Sequence, residues 1–151
     1  MKTEIFTADY HCSIASPGTA KEAFDNICNV PAWWTTDFEG SAKETGDIFT
    51  VRFGDTFVTF RITDVVAGET ITWYVTDCHI PWLNDKKEWK DTKIVWEVSS
   101  KNNSTQIDMT HVGMVPTVEC YASCEQGWNH FIKESLFKLL AEGKGLPKEA
   151  K

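Results

Sequence analysis

Asp77, His79, His111 and Glu125 stand at positions where the surrounding pattern otherwise places apolar residues. An imidazole beside a carboxylate is the minimum for general acid–base work, because the imidazole titrates near neutral pH and the carboxylate can orient it or take its proton. His111 with Asp77 is thus the acid–base candidate. Adding His79 turns the same trio into a candidate zinc site, although two strands and a loop supply none of the close ligand spacing of zinc-binding sequences. Each residue also has a plainer role: a strand histidine held by hydrogen bonds, Asp77 capping the turn that begins at His79, and Glu125 reaching water. The sequence contains no nucleophile elbow, phosphate loop or paired-carboxylate signature.

The inward placement of these residues follows from strand pairing. A two-residue turn at Gly54-Asp55 sets Val51 opposite Val58 and Phe49 opposite Phe60. A second turn at Ala67-Gly68 sets Phe60 opposite Val75, Ile62 opposite Trp73, and Asp77 opposite Val58 on the same face. A third at Asn102-Asn103 pairs Val98 with Ile107, Trp96 with Met109 and Ile94 with His111. The apolar residues coincide on one face in all three hairpins, and a slip of one residue would undo this. The other face carries Arg52, Thr59, Arg61, Thr63, Thr72, Glu97 and Asp108 and belongs in water.

What covers the apolar face is the stretch 116–143. Val118, Tyr121, Trp128, Ile132, Leu136 and Leu139 recur at helical spacing, with Pro116-Thr117 suited to the start and Gly143 to the end. Upstream, residues 4–14 alternate as a half-buried strand. Ser16-Pro17 reads as a helix N-cap, before the short amphipathic helix of Ala20, Ala23, Phe24 and Ile27. The concave side then gathers Tyr10, Val51, Val58, Phe60, Trp73, Val75, Trp96 and Met109, with Tyr121 and Trp128 from the helix. These rings either fill the space as a core or line a pocket, with His111 and Asp77 as polar anchors and His79 and Glu125 nearby. The loop 80–91 sets Pro81, Trp82, Leu83 and Trp89 among charged residues, as a lid, a contact surface, or rings folded back on the sheet.

The 151 residues, 42% hydrophobic and 25% charged, fit one domain spanning 1–151 with its own core. A net charge of −7 opposes binding to a phosphate backbone, and no apolar run approaches the roughly 20 residues that span a bilayer. Nucleic acid and membrane are therefore excluded as partners, and without an export signal the expected location is cytoplasmic. Cysteines 12, 28, 78, 120 and 124 match no zinc spacing, so free thiols and no metal or other cofactor are expected. Cys120 and Cys124 fall one helical turn apart. Packing is the simpler role for them, a redox or metal pair the alternative.

The order strand, short helix, strand meander and long C-terminal helix resembles the START/Bet v 1-like (SRPBCC) superfamily over nearly the whole chain. Within it, Trp33-Trp34, Phe38-Glu39-Gly40, Thr76-Asp77-Cys78-His79, Thr110-His111-Val112-Gly113 and Gly127-Trp128 resemble the branch named for the activator of heat-shock-protein-ninety ATPase. The resemblance implies an α+β helix-grip fold, a curved antiparallel sheet of about seven strands around a long helix, enclosing a cavity for an apolar small molecule. The sequence shows no separate N-terminal domain of the kind the namesake uses on its chaperone. The function expected is accordingly a binding module for an apolar or aromatic small molecule, ahead of a chaperone-type protein-interaction domain. Third comes a cyclase or lyase using His111 and Asp77, so binding is expected over catalysis.

Overall fold

The computed structural model describes residues 9–148. It is an antiparallel sheet in the order β1-β7-β6-β5-β4-β3-β2 laid around one long helix. The strands are β1 (Tyr10–Ser16), β2 (Phe38–Gly40), β3 (Ile48–Phe53), β4 (Thr56–Val66), β5 (Thr70–His79), β6 (Lys93–Lys101) and β7 (Ser104–Val112). Residues 4–8 of the expected first strand lie outside the described residues. The paired registers are those that the turns dictate: Val51 faces Val58, Ile62 faces Trp73, Trp96 faces Met109 and Ile94 faces His111. Val51, Val58, Ile62, Trp73, Trp96, Met109, Ile94 and His111 are all buried.

Between β4 and β5 the register shifts twice. The turn is one residue longer than Ala67-Gly68, since Val66 pairs with Thr70, and an extra residue at Thr63 restores the expected pairing by Ile62. A second bulge at Thr76 then moves Asp77 opposite Thr59 and Cys78 opposite Val58. An extra residue exchanges the two faces of a strand beyond it. Asp77 and His79 therefore face outward, correcting the expectation that both point into the concave side, and buried Cys78 takes the inward place.

The short helix α1 (Ala20–Cys28) starts at Thr19 and not at Ser16. The Thr19 hydroxyl accepts the Glu22 N–H while the Glu22 carboxylate accepts the Thr19 N–H, so two free donors are satisfied together. Ser16 belongs to β1, and Gly18 at φ +96° makes the turn between them.

The long helix, α2 (residues 121–142), runs as α-helix over Tyr121–Asn129, π-helix over His130–Leu136 and α-helix over Phe137–Glu142. It begins later than Pro116-Thr117 suggests. Just before its first residue, the N–H groups of Glu119 and Cys120 donate to the Glu88 carboxylate at 3.0 and 2.9 Å, so a distant loop holds and caps its N-terminal end. Gly143, at φ 85°, ends it in the left-handed conformation.

Candidate functional site

The turn Val30–Ala32 delivers Trp33 and Trp34 into the core. Trp33 is anchored through its indole N–H to the Ile27 carbonyl, and its own carbonyl accepts the Ser135 hydroxyl at 2.6 Å. The C-terminal segment fixes Trp34, whose carbonyl accepts the Lys148 N–H at 2.8 Å. The Trp34 ring lies 6.1 Å from that of Trp73 and 4.9 Å from that of Trp128. Trp73, Trp96 and Met109 behind it are completely buried, with Trp73 and Trp96 5.4 Å apart. The deep concave side is thus filled by its own rings. The expected pocket lined by Trp73, Trp96 and Met109 is not what the packing forms, because Trp34 occupies its mouth. Among the described residues the indole N–H groups of Trp73 and Trp96 have no hydrogen-bond partner.

A pocket of about 120 Å³ opens on the other side of Trp34. Trp34, Phe53 and Val58 line it, loop 80–91 contributes Ile80, Trp82 and Trp89, the turn before α2 contributes Cys120, and α2 contributes Cys124, Gly127, Trp128 and Phe131. Its lining is almost wholly apolar. Trp89 stacks on Trp128 at 6.0 Å, whereas Trp82 at the mouth is 57% exposed. A side chain at Gly127 would begin in open space, so this glycine keeps the hollow empty at the cost of some helix propensity. The loop is secured at both ends. Glu88 caps α2, the Glu119 carboxylate accepts the Asn84 N–H at 2.9 Å, and Lys87 meets Asp77 at 2.9 Å.

His111 is completely buried behind this wall. Trp128 Nε1–H donates to its Nδ1 at 3.1 Å, and an indole nitrogen can only donate. The hydrogen of the imidazole is therefore on Nε2, which donates to Thr92 Oγ1 at 2.9 Å, and the Thr92 hydroxyl donates to the Trp89 carbonyl at 2.6 Å. Burial pushes the imidazole down to about 3, so the ring is neutral across the physiological range. Asp77 is on the opposite face. Lys87, with help from the Cys78 N–H, holds its carboxyl below the usual range. His79 stacks on Phe57 at 6.2 Å. The acid–base pair of His111 and Asp77 and the zinc trio with His79 are accordingly not assembled. Among the described residues no group of three or more histidines, cysteines or acids is placed to hold a metal ion.

Tyr10, Tyr121 and Glu125 gather where β1 meets α2. The buried Tyr10 hydroxyl donates to Asn129 Oδ1 at 2.6 Å. Burial, with Cys12 and Glu125 nearby, raises its phenol, and burial raises that of Tyr121. Of the concave-side residues singled out in the sequence, Val58 and Trp128 line the pocket, with His111 directly supporting Trp128, and Trp82 and Trp89 join them from the loop expected as a lid or contact surface. The lining residues that the sequence reading does not anticipate are Trp34, Phe53, Ile80, Gly127 and Phe131. One signal for part of that set is present: Cys120, Cys124, Gly127 and Phe131 recur at four, three and four, a second helical stripe beside the one that packs the core.

Cys120 and Cys124 are joined as a disulfide, with Cα atoms 5.6 Å apart, and Cys12, Cys28 and Cys78 are free and buried. The expectation of five free thiols fails for this pair, because one helical turn brings the two residues within bridging range.

Larger hollows lie elsewhere. One of about 800 Å³ between α1 and the β2–β3 connection mixes Phe24, Cys28 and Phe38 with Asp25, Asn26 and Lys43, so its lining is divided between polar and apolar groups. Among the described residues no helix is long and apolar enough to cross a membrane.

Solved structures share the fold. The Aha1 dimer from Colwellia psychrerythraea superposes with a TM-score of 0.75 at 23% identity, covering 91% of this chain and 98% of that one. DynU16, described as a putative protein in the dynemicin biosynthetic locus, gives 0.64 at 18% identity, covering 89% of this chain and 48% of that one. CalU16 from Micromonospora echinospora gives 0.60 at 10% identity, covering 82% and 70%. A sequence search of curated proteins finds no match. Residues 22–141 match the family described as activator of Hsp90 ATPase homolog 1-like protein, and the chain belongs to that family, on the SRPBCC helix-grip fold.

Proposed function

We propose that the protein is a binding module that takes an apolar or aromatic group of a small molecule into the pocket between Trp34, Trp82, Trp89 and Trp128. The observation that carries this reading is an open, almost purely apolar hollow that Gly127 leaves unfilled. Its size selects the ligand. An apolar cavity of about 150 Å³ accepts benzene, whereas drug-sized ligands occupy roughly 300 Å³ or more. About 120 Å³ suits one ring or a short aliphatic chain, with any remainder of the ligand lying along exposed Trp82. The buried, neutral His111 acts from behind as a support for Trp128 and is not a contact for the ligand. Titration with an apolar fluorescent probe tests the reading. Gly127→Leu fills the hollow and abolishes saturable binding, while Ile48→Ala, which removes a similarly exposed apolar side chain, leaves it unchanged. Equal affinity in the two variants overturns the reading.

A protein-interaction role is the second reading. Trp82 stands exposed on a charged loop, and the family is named for activation of a chaperone ATPase. Stimulation of a purified Hsp90 ATPase, lost in Trp82→Ala, would favour it.

A further inference from the structure

The five cysteines fall into two chemical classes. Cys12, Cys28 and Cys78 are buried singly, and burial raises their thiols, that of Cys28 to about 11. A raised thiol is a poor nucleophile, because the thiolate is the reacting form. Cys120 and Cys124 instead stand one helical turn apart and both line the apolar pocket. Cys120 is completely buried, while Cys124 is half-buried. The indole N–H of Trp89 donates to Cys124 Sγ at 3.3 Å, an interaction that favours the sulfur when it carries negative charge. The Glu88 carboxylate accepts the Glu119 and Cys120 N–H groups, and this negative charge against the Cys120 backbone disfavours a thiolate there.

We propose that Cys120 and Cys124 are a dithiol–disulfide couple that small disulfides and thiols reach through the pocket, with Cys124 the sulfur that forms the mixed disulfide. For its route the couple rests on the pocket being open to small molecules, as the proposed function requires. In the oxidising direction the Cys124 thiolate, its proton given to solvent, attacks one sulfur of a small disulfide. The S–S bond breaks and the other half leaves as a thiolate. Cys120, deprotonated in turn, attacks Cys124 Sγ in the mixed disulfide and expels the second thiolate. The balance is one protein dithiol and one small disulfide giving one protein disulfide and two small thiols.

The test is exposure of the reduced, folded full-length chain to glutathione disulfide, with acid quenching and mass analysis of peptides. The wild-type chain should close the 120–124 bond without retaining glutathione. Cys120→Ser should accumulate one glutathione on Cys124, and Cys124→Ser should react on the buried Cys120 more slowly, by about tenfold or more. Circular dichroism of both variants establishes that the reacting chains are folded. If Cys124 is modified no faster than Cys12, Cys28 and Cys78, the couple is overturned, even where the apolar probe binds and the pocket reading stands. If Cys124 reacts selectively while the probe fails to bind, the couple is supported and the pocket reading falls.

Discussion

The indole N–H of Trp128 donates to Nδ1 of His111 across the buried contact between α2 and β7. This one bond fixes the tautomer of the histidine and, through Thr92, ties the pocket wall to the end of loop 80–91. A residue whose type suggested proton transfer is thereby committed to holding two tryptophans in place.

Stability should depend on His111 in acid. Its folded value is about 3 against an ordinary 6.5, so between those limits the unfolded chain holds the extra proton. The stabilisation is complete above about pH 6.5 and declines as pH falls toward 3, by at most about 1.4 kcal/mol per pH unit. Urea unfolding at about pH 7.5 and pH 4.5 should show a smaller loss for His111→Gln than for the wild-type chain. An equal loss in both would remove His111 from the acid response.

Trp128→Phe keeps a ring but removes the donor, leaving Nδ1 of a buried imidazole without a partner. The expected cost is about 1–3 kcal/mol in chemical denaturation. In a double-mutant cycle with His111→Gln the two changes should couple by more than about 0.5 kcal/mol. Additive effects would show that the bond contributes nothing specific.

Glu88→Ala uncaps α2 and frees one side of the loop. By analogy with lost N-caps, stability should drop by about 0.5–2 kcal/mol, with faster proteolysis within 80–91. Lys87→Ala removes a half-exposed pairing with Asp77 and a distant contact over the Phe57 ring, and should leave the unfolding midpoint nearly unchanged. The reverse ranking would mean that the ion pair and not the cap secures the loop.

Much of the fold could be read from the chain because each hairpin carries its own register. Val51 opposite Val58 and Trp96 opposite Met109 follow from a two-residue turn and an alternating pattern, both local. The same purely local register puts Asp77 and His79 on the wrong face. One extra residue at Thr76 exchanges the faces of β5, and neither spacing nor hydrophobicity marks that bulge. The start of α2 was misjudged because its cap, Glu88, comes from another part of the chain. His111 was correctly placed inside, yet its satisfaction by Trp128 and Thr92 is a tertiary fact that no spacing encodes. The pocket stayed hidden for a related reason. Whether Trp34 fills the deep space or borders a shallower one depends on how the turn Val30–Ala32 and the C-terminal segment dock, and both contacts are long-range.

Entry of a ligand beside Trp34, short of the deep core, is the proposal that the seven tryptophans can test directly. Trp34, Trp82, Trp89 and Trp128 line the pocket, whereas Trp33, Trp73 and Trp96 do not. In nitrogen-15 correlation spectra, titration with a single-ring probe such as indole should shift the side-chain N–H signals of Trp34, Trp82, Trp89 and Trp128 saturably and leave those of Trp33, Trp73 and Trp96 in place. Saturable shifts confined to Trp73 and Trp96, or none at any indole, would contradict the account.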